Sequence, residues 1–406
     1  MRYTILLLFA FSFANTSFAQ QNHDRDKTLV VLSMDGFRWD YPDSFLTPNL
    51  HAMAQKGVKA KSIIPSFPSV TFPNHYAMAT GLYPDHHGLV NNSFYDRQSQ
   101  RLYRISDREA VEYGPFYSGE PIWNTAEKQG IKTAIFYWVG SEADVQEMHP
   151  TIWKKYDENV TYEARIDSVI QWLSLPEDKR PRLIMFYFDE PDHVGHTYGP
   201  FSAETQATVM RVDSMAGLFM RKLKTLPIAR QVNFIVTSDH GMGAISDQRK
   251  VILWDYVKKS WVSRWNGYSP IITLQPAAGC TDSIYAALKP VKHLSVWKKG
   301  EVPEHLHWGK NPRIDELVVL ADSAWSIATD MRPVGKGAHG YDPSNTDMHA
   351  IFIAKGPDFR RKFNADSFRN IHLYSLMAEI LKITPAITDG RIEPVMPMLR
   401  RKQHPR

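Results

Sequence analysis

Three runs in this chain are almost continuously apolar, and each ends abruptly on charge. Thr28 to Met34 leads into Asp35-Gly36. Leu183 to Phe188 leads into Asp189-Glu190-Pro191-Asp192-His193. Val232 to Thr237 leads into Ser238-Asp239-His240-Gly241. Runs of this length rich in β-branched and aromatic residues are strands buried on both faces, which is the habit of a parallel sheet. Helical periodicity lies between them, at Thr47-Pro48 up to Gly57, Glu120 to Gln129, Tyr162 to Leu173 and Ala203 to Leu226. Strand and helix therefore alternate, which predicts an α/β fold with a mainly parallel central sheet and helices on both faces. Such sheets bind ligands at the carboxyl ends of their strands. The charged strand ends are then expected on one edge.

Further elements complete the pattern. Lys132 to Trp138 and Met348 to Ala354 read as strands, and Ile371 to Leu381 as a closing helix. Between about Lys250 and Thr329 the alternation loosens. Pro270 to Leu274 and Leu317 to Asp322 look like strands there, and Asp282 to Leu288 like a helix. This region is expected to be a small inserted subdomain within a unit spanning residues 27–399, followed by a basic tail at 400–406.

The first 19 residues read as a signal peptide. Arg2 precedes the apolar run Ile5 to Phe13, and Ser17 and Ala19 are small residues suited to cleavage after Ala19. The run is too short for a spanning helix, so no membrane span is expected once it is removed. The single cysteine, Cys280, cannot form an internal disulfide, so export to a bacterial periplasm fits better than an animal extracellular space. The net charge of +5 includes the clustered Arg400, Arg401, Lys402 and Arg406. With no basic stripe carrying interleaved aromatics, sequence-specific nucleic-acid binding is not expected.

One further segment bears on chemistry. Ser62 to Val70 reads as extended, and Asn74 to Ala79 as a helix stopped by Gly81, with Pro73 in its first turn. Thr71 thus falls at or just before a helix N-terminus, where unpaired N–H groups and the helix dipole favour a phosphate. Thr71 is either a helix cap or a nucleophile. Asp35, Asp192, His196, Asp239, His240 and His339 form an aspartate–histidine set without thiolate, which suits catalytic zinc. Spacing alone does not decide between Asp192 with His196 and Asp189 with His193. A pair of ions beside the Thr71 hydroxyl would activate it and clamp the attacking and leaving oxygens of a phosphoryl transfer. Asn92 and the backbone N–H of Phe72 are candidate donors to the non-bridging oxygens.

Several blocks together resemble the nucleotide pyrophosphatase/phosphodiesterase family of the alkaline phosphatase superfamily, in its compact bacterial form. They are Met34-Asp35-Gly36-Phe37-Arg38, Pro68 to Tyr76, Thr80 to Pro84 with His87-Gly88, Gly119 to Trp123, Glu190-Pro191-Asp192 with Gly195-His196, Ser238 to Met242, and His339-Gly340-Tyr341-Asp342. The resemblance implies an alkaline-phosphatase-like fold and two zinc ions. It selects Asp192, His196 and His339 for one ion, and Asp35, Thr71, Asp239 and His240 for the other. It implies Thr71 as nucleophile, Asn92 as oxyanion donor, and Phe72 and Tyr156 as the rings that hold a nucleobase. Val139 stands where nucleotide-hydrolysing relatives often carry proline, and Pro343 where many carry asparagine. The implied activity is hydrolysis of nucleotide 5′-phosphodiester or phosphoanhydride bonds through a covalent threonine intermediate. The alternatives are a choline-headed lysophospholipid diester on the same site, an alkaline phosphomonoesterase, and a non-catalytic binding protein. No arginine follows Thr71 to grip a phosphomonoester, which counts against the second.

Overall fold

The computed structural model describes residues 27–400, so the leader and all of the basic tail beyond Arg400 lie outside the described residues. Among those described, eight strands form the central sheet: β1 (Thr28–Met34), β2 (Val58–Ala60), β3 (Thr133–Phe136), β4 (Ile152–Lys154), β5 (Leu183–Phe188), β6 (Val232–Thr237), β7 (Phe352–Lys355) and β8 (Phe363–Ala365). Their order across the sheet is β8-β2-β7-β6-β1-β5-β3-β4. Within it β7 alone runs against its neighbours. The other pairs are parallel, with β1 at the centre between β5 and β6.

The continuous apolar runs have a simple cause. Successive residues of β1 face opposite ways and both faces are covered. Leu29 and Val31 pack into one core, against the helices α2 (Thr71–Thr80), α3 (Ile122–Lys128) and α7 (His372–Leu381). Val30, Leu32 and Met34 pack into the other, against α1 (Pro48–Ala54), α4 (Tyr162–Leu173) and α6 (Ala203–Lys224). No helix among the described residues is long and apolar enough to cross a membrane.

Most elements fall within two residues of their expected bounds. The strand expected to reach Trp138 stops at Phe136, because Tyr137 takes a left-handed backbone conformation (φ 80°). The strand expected from Met348 starts at Phe352, because Thr346–Met348 form a 3₁₀ turn.

Between β6 and β7 lies a four-stranded antiparallel sheet in the order Val262–Tyr268, Ile271–Pro276, Leu317–Ala321, Leu294–Lys298. Its two faces do different jobs. Leu317, Val319 and Ala321 pack with Ile284 and Leu288 of the helix Thr281–Leu288. Val318 and Leu320 pack with Phe94 and Tyr103, on the hairpin formed by Ser93–Asp96 and Arg101–Arg104. The same region sends the Trp308 indole N–H to the Val90 carbonyl at 3.1 Å, bracing the loop that carries Asn92.

This alternation gives a test by hydrogen exchange. Val319→Asp should expose the amides of the helix Thr281–Leu288. Val318→Asp should leave that helix protected and loosen the Phe94–Tyr103 hairpin. Identical exchange patterns in the two variants would contradict the assignment of faces.

Candidate active site

The carboxyl ends of β1, β5 and β6 converge as parallel strands must. Asp35 follows β1, and Asp239 and His240 follow β6. After β5, a short turn leads into the helix α5 (Asp192–Tyr198), between α4 and α6 in the chain. Residues four apart on a helix share a face, so Asp192 and His196 point together, with His196 Nε2 3.4 Å from Asp192 Oδ2. Gly36 permits the approach. Its φ is +65°, and a Cβ there would lie 2.9 Å from the Cα and Cβ of Asp192.

Three histidines enter with their ring orientation fixed. His196 Nδ1 donates to the Gly337 carbonyl, His339 Nδ1 to the Ser69 carbonyl and His240 Nδ1 to the Gly241 carbonyl, each at 2.9 Å. In the neutral rings each Nε2 is then a lone pair facing the site, an arrangement that orients imidazoles for metal binding. His339 Nε2 sits 3.0 Å from His196 Nε2 and 3.5 Å from Asp192 Oδ1. His240 Nε2 sits 3.0 Å from Asp239 Oδ2 and 3.5 Å from Asp35 Oδ1.

These atoms fit divalent cations. Asp35 Oδ1, Asp192 Oδ1 and Asp239 Oδ2 are buried with no hydrogen-bond partner among the described residues. Buried carboxylate oxygens without donors are costly unless a cation compensates them. The electrostatics agree. Burial, then the charges of Asp239 and Asp192, push the Asp35 carboxyl well above its ordinary range. Burial would raise Asp239 too, but the charges of His240 and His75 hold it below its usual value. Burial lowers His240, and the Asp239 carboxylate more than reverses this. Burial, followed by His240 and His196, pushes His339 far below the usual imidazole value, which keeps it in the neutral form a metal needs. Asp192, His196 and His339 form one candidate metal group, and Asp35 joins Asp192 and His240 in a second. A third joins Asp35, Asp239 and His75.

Thr71 is the first residue of α2, and the extended Val70 occupies the cap position. Its hydroxyl oxygen lies 3.2 Å from His240 Nε2. The Phe72 N–H, a candidate phosphate donor on sequence grounds, instead donates to Asn92 Oδ1 at 3.0 Å. That bond fixes the Asn92 amide and leaves its NH₂ for a ligand. Phe72 and the half-exposed Tyr156 line one cleft of about 470 Å³ with Asp35, Thr71 and Asp192. Asp189 and His193 also line this cleft, but Asp189 pairs with Arg165 and the Tyr162 hydroxyl, each at 3.2 Å.

Sequence reasoning missed three supporting residues. The Tyr187 hydroxyl donates to Asp35 Oδ2. His75 lies one turn after Thr71, with Nδ1 3.0 Å from the Thr71 carbonyl and 3.4 Å from Asp239 Oδ2. Glu142, also in the cleft wall, accepts from the Tyr156 N–H at 3.1 Å and pairs with Arg108. Only His75 carried a signal, its four-residue spacing from Thr71.

The sheet, its two helical layers and this cluster at its carboxyl edge define an alkaline-phosphatase-like protein. A model of the type I phosphodiesterase / nucleotide pyrophosphatase family matches residues 29–342, and the chain belongs to that family. It is 36% identical over 381 residues to human ectonucleotide pyrophosphatase/phosphodiesterase family member 1, covering 89% of this chain and 40% of that protein. It is 36% identical over 375 residues to venom phosphodiesterase CdcPDE of Crotalus durissus collilineatus, covering 89% of this chain and 45% of the relative. The chain thus spans less than half the length of these curated relatives. Among solved structures, murine ectonucleotide pyrophosphatase/phosphodiesterase 5 superposes with a TM-score of 0.89 at 33% identity, covering 92% of this chain and 100% of that one. An inactive threonine-to-alanine form of the murine protein, in complex with AMP, matches equally well.

The base of the Thr71 helix supplies a pH test. Buried His87 donates from Nε2 to the Pro73 carbonyl at 3.1 Å and accepts the Leu89 N–H on Nδ1 at 3.2 Å. Acceptance on Nδ1 needs the neutral ring, and burial lowers its pKa from 6.5 to about 3. Between these values the unfolded chain binds the extra proton, so stability falls as pH falls through this window. The slope is about 1.4 kcal/mol per pH unit from this group. Urea titrations from pH 7 to 4 should show a smaller loss in His87→Gln than in the parent; equal losses would remove His87 from the account.

Proposed function

We propose that this chain is an exported, two-zinc phosphodiesterase and nucleotide pyrophosphatase that releases nucleoside 5′-monophosphates. The observation that carries the proposal is the set of partnerless carboxylate oxygens and Nε2 lone pairs gathered around the Thr71 hydroxyl, beside an aromatic cleft. The relatives' names and the AMP complex of the murine neighbour point the same way. In this reading residues 27–399 form the catalytic unit, with the 250–329 region inserted in it. Export, with cleavage after Ala19 and a periplasmic destination, rests on the leader sequence.

Asp192, His196 and His339 would hold one zinc, and Asp35, Thr71, Asp239 and His240 the other. Bound zinc would lower the pKa of the threonine hydroxyl and neutralise charge on the phosphate. Thr71 Oγ1, at the positive end of α2, attacks the phosphorus of a nucleotide 5′-diester or of an α-phosphate. The bond to the leaving oxygen breaks, and a nucleotidyl-threonine is left for hydrolysis. The Asn92 NH₂ donates to a non-bridging oxygen as charge builds there. Phe72 and Tyr156 hold the base between their rings. The carboxylates of Glu158 and Glu190 in the same cleft favour a second reading, in which a quaternary ammonium takes the place of the base.

Turnover of nitrophenyl esters separates these readings. Thr71→Ala should lower turnover of the nitrophenyl ester of a nucleoside 5′-monophosphate by at least about a thousandfold while metal content holds. Full turnover in that variant would refute the nucleophile. Tyr156→Ala should raise KM for the nucleotide ester by about 5- to 150-fold, from the roughly 1–3 kcal/mol of a base–ring stack, with kcat little changed. Faster turnover of nitrophenyl phosphorylcholine than of the nucleotide ester by the parent would favour the ammonium reading. A chelator should abolish activity with either ester and lower the thermal midpoint, and zinc should restore both.

A further inference from the structure

At the opposite edge of the central sheet lies a second cleft, of about 530 Å³. It opens beside Val232, where β6 begins, and Lys355, where the antiparallel β7 ends. The length of β6 separates it from Asp239 and His240 by roughly 15–20 Å. Every charged residue lining it is a cation: Lys56, Lys224, Arg230, Lys355, Arg361 and Arg400. The chain as a whole has 48 Lys and Arg against 43 Asp and Glu, so composition alone would make nearly half of such a lining acidic.

Some surface cations in this protein find carboxylates, as Lys59 does at Asp43 and Lys128 at Glu120. Among the described residues, the side chains of Lys56, Lys224, Arg230, Lys355 and Arg361 have no carboxylate partner. The nearby Asp358 is already engaged, by Lys27 at 2.6 Å and by Asn233 at 2.8 Å. Lys355 registers the crowding: burial, then the charges of Lys56, Arg361 and Lys224, hold its ammonium below the usual value. The lining between the cations includes the buried apolar side chains of Leu223, Val232 and Phe234. Like charges converging on a concave, partly apolar surface repel one another and focus a positive field, which a multivalent anion relieves.

The geometry points to this cleft as a second ligand site, distinct from the catalytic one, that takes a phosphate-bearing anion of two or more charges. The shared chemistry is phosphate held by several unpaired cations. Its source is either a free polyphosphorylated solute or the headgroups of an anionic phospholipid.

Hydrogen exchange on the full chain locates the ligand independently of catalysis. The probe is trimetaphosphate, a trianion and a weak chelator, titrated with zinc in excess. Protection is expected in the segments 224–230 and 355–361. In Lys224→Glu/Lys355→Glu the midpoint of that protection should rise by about tenfold or more. Lys56→Gln/Arg361→Gln should shift it in the same direction, and serves if the charge reversal misfolds. Diester turnover should be unchanged in both variants. Co-sedimentation with phosphatidylglycerol vesicles, against phosphatidylcholine vesicles, is the second arm. Trimetaphosphate protection weakened by the substitutions identifies a free solute as the source. Vesicle binding weakened by them, without trimetaphosphate protection, identifies the lipid headgroup. The proposal is overturned if neither probe binds, or if binding is undiminished in both variants.

Discussion

Mutual repulsion among buried carboxylates is the constraint on which the site depends. Asp35, Asp192 and Asp239 each turn an oxygen without a donor into the same small volume. Burial and the other two aspartates already disfavour ionised Asp35. Among the described residues no lysine or arginine pairs with these carboxylates. Arg38, the nearest conspicuous buried arginine in sequence, is spent on Asp40, Asp347 and the Met242 carbonyl. Arg165 is spent on Asp189 and the Tyr187 carbonyl. The remaining charge compensation is of the kind metal ions supply, and three imidazoles locked by backbone carbonyls present lone pairs for them.

The sheet turns this local problem into a positioned site. Parallel strands deliver their carboxyl ends to one edge whatever their order in the chain. The three acidic segments after β1, β5 and β6 meet because those strands are neighbours at the sheet's centre. Thr71 then arrives on a helix whose first residue it is, so its hydroxyl faces His240 instead of closing the helix end. Support comes from further away as well. Trp308 braces the Asn92 loop, and Asn92 in turn takes the Phe72 N–H.

Much of this was legible in the sequence, because it follows from local rules. Continuous apolar runs marked β1, β5 and β6, and the residues just past them supplied most of the proposed ligands. The short strands β2, β4 and β8, each three residues long, were not legible, since so few residues carry no periodicity. The choice between Asp189 with His193 and Asp192 with His196 was not open to spacing. It depends on where α5 begins and on a distant partner, Arg165, that engages Asp189. Tyr187 and Glu142 escaped for a related reason. Tyr187 sits inside an apolar strand, and the partners of Glu142 are Arg108 and the Tyr156 backbone, 34 and 14 residues away. Contacts between residues far apart in the chain are set by the tertiary fold, and single-sequence periodicity does not record them.

The central claim is that two divalent ions complete this cluster. Diffraction from crystals of the zinc-loaded chain, recorded on both sides of the zinc absorption edge, tests it most directly. The account predicts two anomalous peaks. One should lie among Asp192, His196 and His339, and the other among Asp35, Thr71, Asp239 and His240. A single peak, or peaks away from these side chains, would contradict it.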